Sequence, residues 1–208
     1  MFPVYISGHN KTEQKTKLNH YRHGAVQVGV LLDLLLHICC APCSIYSWDY
    51  FSGLGYQPGG FFFNPNIHPY REFSSRLKAL RELAQNEGRP VTFDERYLMD
   101  DFLRLAVSAG NERCRLCYEM RLLETAHKAR EAEIENFTTT LLLSPYQKHE
   151  LLKSVGEQVG EQTGVNFIYA DLRSGFRESM DQAREKELYR QQYCGCIFSE
   201  KERYYKGS

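Results

Sequence analysis

Three short groups of cysteines stand out in the sequence. They are "CCAPC" with Cys39, Cys40 and Cys43, "CRLC" with Cys114 and Cys117, and "CGC" with Cys194 and Cys196. Thiolates bind soft metal ions and act as nucleophiles, so clustered thiols indicate either a metal site or redox chemistry. The first 30 residues are polar and basic and lack the apolar core of an export signal. We therefore expect a cytoplasmic protein with reduced thiols rather than a disulfide framework.

The two C-x-x-C pairs favour a single metal site. One such pair also occurs in dithiol oxidoreductases and in half of a zinc site, but two pairs in one chain point to four thiolate ligands. The 70 residues between Cys43 and Cys114 exceed the roughly 15–20 of a compact zinc ribbon, so the fold must join the pairs. Cys39 adds a fifth thiolate, more than one tetrahedral zinc can hold. An iron–sulfur cluster accounts for these thiolates better, and it leaves Cys43 to bind a second metal or to tune the cluster.

The second pair is expected at the start of a helix. With Asn111 as N-cap, Cys114 and Cys117 lie three residues apart on one face of the opening turn. The unpaired N–H groups and the helix dipole there stabilise thiolates. Arg113 and Arg115 add nearby positive charge. Burial of this pair as apolar filling is the alternative, which the two flanking arginines disfavour.

The third group suits redox chemistry. Gly195 lets the backbone bend between Cys194 and Cys196, so a small, strained disulfide is feasible. Strained or exposed disulfides have high reduction potentials and are often labile or catalytic. Two free structural thiols are the alternative from the residues alone.

The rest of the pattern alternates strands with helices. Strands are predicted at 33–38, 60–64, 90–95, 137–144 and 165–171, and helices at 44–54, 71–87, 99–108, 112–133 and 146–162. This alternation predicts a single Rossmann-like α/β domain over residues 31–208, a three-layer fold with a mostly parallel sheet. Residues 1–30 are interpreted as a flexible extension. Ligands in such folds bind beyond the carboxyl ends of the strands, where the first cysteine group lies.

Composition limits the classes of function. The chain is 42% hydrophobic and 25% charged, with 26 basic and 26 acidic residues, which is ordinary for a globular domain. No run approaches the roughly 18 apolar residues of a membrane span, so we expect no membrane partner. The balanced charge gives no global nucleic-acid signature, although a local basic face stays open.

Taken together, these residues resemble the cobalamin-independent epoxyqueuosine reductase family, QueH. The stretches that carry the resemblance are "LLHICCAPCS", "FFFNPNIHPYREFSSR", "RCRLCYEMRL", "TTTLLLSPYQKHE", "FIYADLRSGFRES" and "ELYRQQYCGCIFS". The resemblance implies an oxidoreductase that removes the epoxide oxygen of epoxyqueuosine in the tRNA anticodon loop to give queuosine. It also implies an external electron donor and no cobalamin.

The resemblance also implies roles for the cysteines. Cys39, Cys40, Cys114 and Cys117 would hold a [4Fe-4S] cluster, and Cys43 could contribute to an additional iron nearby. Cys194 and Cys196 would form a redox-active disulfide. Epoxide removal consumes two electrons and two protons, which a cluster, a Lewis-acidic iron and a dithiol can share.

A proton donor and substrate contacts are still needed. Asp171, at the carboxyl end of the last predicted strand, is one candidate donor, and Tyr70 and Tyr146 are others. Substrate-binding candidates are His68, Tyr70, Arg71, Arg173 and Arg177, because aromatic and arginine side chains interleave there. His37 is expected to be a core histidine bonded to backbone rather than a ligand.

Two other interpretations compete. The first is a zinc-binding, nucleic-acid-binding module without redox activity. The second is an ATP-using tRNA-modifying enzyme, which should carry a Gly- and Ser-rich phosphate loop after the first strand. This chain has "CCAPCS" there, so the ATP-using class ranks last.

Overall fold

Five parallel strands form the centre of the molecule. The computed structural model describes residues 31–207, so the predicted extension at 1–30 lies outside the described residues. The strands are β1 (Leu34–His37), β2 (Pro58–Phe62), β3 (Val91–Phe93), β4 (Asn136–Thr139) and β5 (Asn166–Phe167). Their order is β3-β2-β1-β4-β5, and every pair is parallel. The predicted α/β fold with a parallel sheet is confirmed.

Helices cover both faces of the sheet. They are α1 (Ala41–Gly53), α2 (Tyr70–Asn86), α3 (Met99–Ala109), α4 (Arg113–Glu131), α5 (His149–Thr163), α6 (Phe176–Glu185) and α7 (Ile197–Tyr204). The connections from β1 to β3 and from β4 to β5 run in opposite directions across the sheet. Right-handed crossovers therefore place α1 and α2 on one face and α5 on the other, giving three layers. Helix α6 packs on α1, and α4 packs on α5.

The core lies around β1, the central strand. Leu34, Leu36 and Ile38 are fully buried, as are Phe62 beside them on β2 and Phe137 on β4. A central parallel strand is covered on both faces, so it carries consecutive apolar residues rather than an alternating pattern. Each such side chain contributes about 1.5–3 kcal/mol by leaving water. This core fixes the carboxyl end of β1, where the first cysteine group begins. No helix among residues 31–207 is long and apolar enough to cross a membrane.

Some predicted boundaries were wrong. Helix α1 begins at Ala41 rather than at 44, because Pro42 fits the first helical turn, and this places Cys43 inside the helix. Strand β4 ends at Thr139 rather than at 144. The Thr139 hydroxyl accepts a hydrogen bond from the Leu141 N–H (3.1 Å) and so caps a short 3₁₀ turn.

The start of α4 also differs from the prediction. Asn111 lies in a 3₁₀ turn over Gly110–Glu112, and Glu112 occupies the cap position without a side-chain hydrogen bond. Strand β5 covers two residues rather than seven. Helices α6 and α7 were not predicted.

Candidate metal and redox centre

Three thiols meet at the carboxyl end of β1. Cys39 and Cys40 follow the strand, and Cys43 lies in the first turn of α1. Their sulfur atoms lie within 4.8 Å of one another, and all three side chains are buried. We call these residues the cysteine trio. A buried set of sulfur donors at this spacing is suited to a soft metal ion or an iron–sulfur cluster.

Hydrogen bonds within the trio give the three thiols different pKa values. The sulfurs of Cys39 and Cys40 are 3.5 Å apart, and the Thr140 hydroxyl donates to the Cys39 sulfur (3.4 Å). Hydrogen bonds from Cys40 and Cys43 hold the pKa of Cys39 well below its ordinary value. Burial raises the pKa of Cys40, and the hydrogen bond to Cys39 raises the pKa of Cys43. Cys39 is therefore the first of the three to become a thiolate.

A buried arginine, Arg121 of α4, lies beside the trio. The residue is 2% exposed. Its Nη2 donates to the Asn64 side-chain oxygen (2.9 Å), its Nη1 lies 3.8 Å from the Cys117 sulfur, and its Nε lies 3.3 Å from His37 Nε2. Within residues 31–207, no carboxylate lies within ion-pair distance of Arg121. Burying a charge without a counter-charge is costly.

A Cys39 thiolate can supply that counter-charge. The Arg121 charge adds to the hydrogen bonds that lower the pKa of Cys39 and partly offsets the burial that raises the pKa of Cys117, so it acts on the first and the second cysteine group together. Burial and the same guanidinium hold the pKa of His37 at about 3, which keeps this histidine neutral. His37 Nε2 lies 3.1 Å from the Phe63 carbonyl oxygen, so His37 is the backbone-bonded core histidine that was expected.

The second cysteine pair lies at the start of α4. Cys117 is buried, and burial raises its pKa to about 11; Cys114 is half-buried with a pKa also raised by burial. Among the described residues, the group of sulfurs within 4.8 Å of one another contains only the trio. Cys114 and Cys117 lie outside that group, and the charge of Arg121 acts on both Cys117 and Cys39.

This burial gives the metal-free protein a pH dependence. Because the folded state holds the Cys117 proton up to a pKa of about 11, whereas an unfolded thiol loses it near 9 or below, unfolding becomes easier as the pH rises through that range. We expect a loss on the order of 2 kcal/mol from this residue. Urea unfolding of chelator-treated protein between pH 8 and 11 measures it. Cys117→Ala is the control and should make the curve shallower by that amount, and an unchanged slope in that variant contradicts the assignment.

The third cysteine group is a dithiol at the surface. The sulfurs of Cys194 and Cys196 are 3.9 Å apart and not bonded, and Cys194 is exposed. The Cys194 sulfur also lies 3.1 Å from the Ser199 hydroxyl oxygen. Hydrogen bonding with Cys196 and then with Ser199 lowers the pKa of Cys194 to about 5, whereas the hydrogen bond with Cys194 raises the pKa of Cys196. Cys194 is therefore the thiolate of the pair.

A second buried arginine, Arg76 of α2, holds residues 193–196, which we call the dithiol segment. Its Nε binds the Glu72 carboxylate (2.7 Å), and its two terminal nitrogens donate to the carbonyl oxygens of Tyr193 (2.9 Å) and Cys194 (3.2 Å). The charge of Arg76 also acts on Cys39 and Cys40. The loop after β2 holds the other side, because the His68 N–H donates to the Gly195 carbonyl oxygen (2.8 Å).

Gly195 is held in a conformation that favours glycine. Its φ is +125°, and an added Cβ would lie 2.9 Å from Ile67 Cγ1 and 3.4 Å from Arg76 Nη1. We expect Gly195→Ala to release the dithiol segment while the rest of the fold stays intact, because the strain is confined to this contact. Limited proteolysis and the alkylation rate of Cys194 measure the release. Gly55→Ala is the control, with a φ of +96° but no neighbour within 4 Å. Equal protease resistance in both variants would contradict the role of this contact.

The other predicted site residues are spread along the same edge of the sheet. Tyr70 is 61% exposed and Arg71 is exposed at the start of α2. His68 is buried, with Nδ1 accepting from the Ile197 N–H (3.3 Å) and Nε2 without a partner among the described residues. A substrate contact by His68 therefore requires the residues that cover it to move.

The predicted proton donor Asp171 lies at the surface after β5. It binds Arg173 (Oδ1 to Nε, 2.8 Å), and this hydrogen bond holds the pKa of Asp171 at about 2. The carboxylate is therefore ionised at neutral pH. Arg177 is exposed on α6.

Sequence reasoning missed both buried arginines. Arg121 follows Cys117 by four residues, so both lie on one face of α4. Arg76 falls within the apolar stripe of α2 that includes Phe73 and Leu80. A charged residue at a core position of an amphipathic helix was the available signal in each case.

Comparisons with known proteins identify the family of this chain. The family model described as epoxyqueuosine reductase QueH matches residues 34–202. A protein from Dehalococcoides mccartyi with that name is 41% identical over 173 residues, which are 83% of this chain and 95% of that protein. The Thermotoga maritima protein of that name is 32% identical over 82% of this chain and 91% of its own length. One from Streptococcus pyogenes is 32% identical over 81% and 70%. The chain therefore belongs to the epoxyqueuosine reductase QueH family of oxidoreductases.

Proposed function

We propose that this chain reduces the epoxide of epoxyqueuosine in the tRNA anticodon loop and so gives queuosine. The observation that carries the proposal is the buried cysteine trio beside Arg121, a guanidinium without a carboxylate partner in the described residues. Such an arrangement is suited to holding a negatively charged sulfur-ligated centre. The relatives of this chain are named for the reduction of epoxyqueuosine.

The donor set fits an iron–sulfur cofactor. In the proposal, Cys39, Cys40, Cys114 and Cys117 hold a [4Fe-4S] cluster, and Cys43 contributes to an adjacent iron. The sulfur donors, the burial of Cys39, Cys40 and Cys117, and the positive charges of Arg76 and Arg121 support this assignment. When bound, such a centre would supply single electrons and a Lewis acid for the epoxide oxygen.

The dithiol can supply the electrons of the reaction. Loss of the epoxide oxygen as water consumes two electrons and two protons. Oxidation of the Cys194 thiolate and the Cys196 thiol to a disulfide releases two electrons and one proton, so the second proton has to come from another donor or from solvent. Their 3.9 Å separation and the low pKa of Cys194 support this role. An external electron donor then has to return the disulfide to the dithiol after each turnover.

Proton delivery by Asp171 needs a change at the surface. With Arg173 bound, the low pKa of Asp171 leaves it without a proton to donate. A substrate that displaced Arg173 or excluded water would raise that pKa and make Asp171 an acid. Asp171 therefore stays a candidate donor, coupled to substrate binding through Arg173.

The test is an anaerobic turnover assay. Protein loaded with iron and sulfide is incubated with tRNA that carries epoxyqueuosine and a chemical reductant, and queuosine is measured by nucleoside mass spectrometry. The expected result is queuosine from the loaded protein and none from chelator-treated protein. No product from the loaded protein, or a colourless protein with one stoichiometric zinc, would contradict the proposal and favour the zinc-module alternative.

A further inference from the structure

Tyr146 is the most exposed aromatic side chain among the described residues, at 79%. It lies in the loop 144–148, "SPYQK", between the 3₁₀ turn that follows β4 and the start of α5. Because β1 and β4 are neighbouring parallel strands, this loop and the cysteine trio share one edge of the sheet.

Hydrogen bonds to the buried Tyr118 hold this loop in place. The Tyr118 hydroxyl donates to the Gln147 side-chain oxygen (2.8 Å) and accepts from the Lys148 N–H (3.1 Å). Tyr118 is buried on α4, next to Cys117. The Tyr146 ring itself meets the Phe176 ring edge-on, with centroids 5.9 Å apart. The ring is therefore pre-positioned by its loop and by one neighbour while most of its surface stays open.

Cationic side chains accompany the ring. Lys148 is exposed, and its backbone N–H donates a hydrogen bond to the hydroxyl of Tyr118, the residue next to Cys117. Arg177 is exposed next to Phe176. Within residues 31–207, neither Lys148 nor Arg177 has a carboxylate at ion-pair distance. A fixed open ring between free cations is the arrangement that holds an unpaired base and its phosphates.

We propose that Tyr146 is a stacking platform for a nucleobase of the RNA loop that carries the modified nucleoside, with Lys148 and Arg177 contacting phosphates. The inference rests on the proposed function and names the surface by which the same site holds its RNA. Tyr146 acts by positioning the RNA loop and takes no part in the redox step. The modified nucleoside then reaches the cysteine centre while an adjacent base of the RNA loop is held by Tyr146.

The experiment measures RNA binding by the full chain, loaded with iron and sulfide under anaerobic conditions. A fluorescently labelled anticodon stem-loop hairpin is titrated by anisotropy. Tyr146→Ala should weaken binding about 10- to 100-fold, whereas Tyr146→Phe and Tyr146→Trp keep the stacking face and should stay close to wild type. Lys148→Ala should reduce the slope of the logarithm of the binding constant against the logarithm of the salt concentration by about one. Tyr50→Ala, which removes a tyrosine on α1 that is 36% exposed, is the matched control and should bind normally.

Two further arms separate the possible outcomes. A labelled RNA duplex without a loop should bind wild type and Tyr146→Ala equally, because its bases are not available for stacking. Equal hairpin binding by wild type and Tyr146→Ala, from preparations that make queuosine, would overturn this inference alone. Tyr146-dependent hairpin binding by a protein that makes no queuosine would support the stacking surface and contradict the proposed reaction.

Discussion

Replacing Arg121 with methionine is expected to weaken iron–sulfur loading by about 10- to 100-fold, the range typical of residues that support metal ligands. The guanidinium lowers the pKa of Cys39 and Cys117, so its removal makes both thiolates more costly. The metal-free variant should stay folded, because there Arg121 is a buried cation without a carboxylate partner in the described residues, and an apolar side chain of similar size removes that cost. Iron and sulfide content after anaerobic reconstitution, beside a urea unfolding curve, measures both effects.

Two variants sharpen this prediction. Arg121→Lys keeps the charge but loses the fork that reaches Asn64, His37 and Cys117, so its loading should fall between those of wild type and Arg121→Met. Arg130→Met removes an exposed arginine from the same helix and should load normally. Normal loading of Arg121→Met would show that Arg121 is not the counter-charge of the thiolates. A metal-free Arg121→Met protein that does not fold would show a structural role instead.

The sequence predicted the parts of this molecule that local pattern determines. Helix α2 was expected at 71–87 and lies at Tyr70–Asn86, because its apolar stripe and Gly88 mark both the face and the end. The first cysteine group was placed after the first strand, since the apolar run "DLLLHI" at 33–38 defines that strand, although the following helix was predicted to begin three residues too late. These features depend on residues within a few positions of one another.

Features that depend on distant residues were not predicted. Whether Arg121 is buried depends on β1 and on the loop after β2, which lie far away in the chain. Strand β5 is short because it lies at the edge of the sheet and pairs only with β4, although "VNFIYAD" has the composition of a longer strand. The dithiol segment is positioned by Arg76, a residue 118 positions before Cys194. Sequence pattern identifies the thiols but not the charges that tune them.

Cys117→Ala and Cys43→Ala are expected to separate the two roles proposed for the cysteines. If Cys117 is a cluster ligand, its loss should abolish the brown iron–sulfur absorbance and all queuosine formation, because buried thiolates hold the metal. If Cys43 serves only an adjacent iron, Cys43→Ala should keep the absorbance, lose iron without losing sulfide, and form queuosine at least about tenfold more slowly. Iron, sulfide and absorbance of anaerobically reconstituted variants measure the difference, with Cys194→Ala as the control that keeps all three.

The geometry makes the outcome informative in either direction. Cys43 lies with Cys39 and Cys40 within 4.8 Å, whereas Cys117 lies outside that group, so sulfur proximity alone favours Cys43 as the third ligand. Charge favours Cys117, because Arg121 lies 3.8 Å from its sulfur and acts on Cys39 as well. Loss of the cluster in Cys43→Ala with a retained cluster in Cys117→Ala would contradict the proposed ligand set and assign the trio as the cluster ligands. The expected result instead assigns the cluster to both cysteine groups, because the ligands of a [4Fe-4S] cluster bind different iron atoms and their sulfurs need not lie within the 4.8 Å that groups the trio.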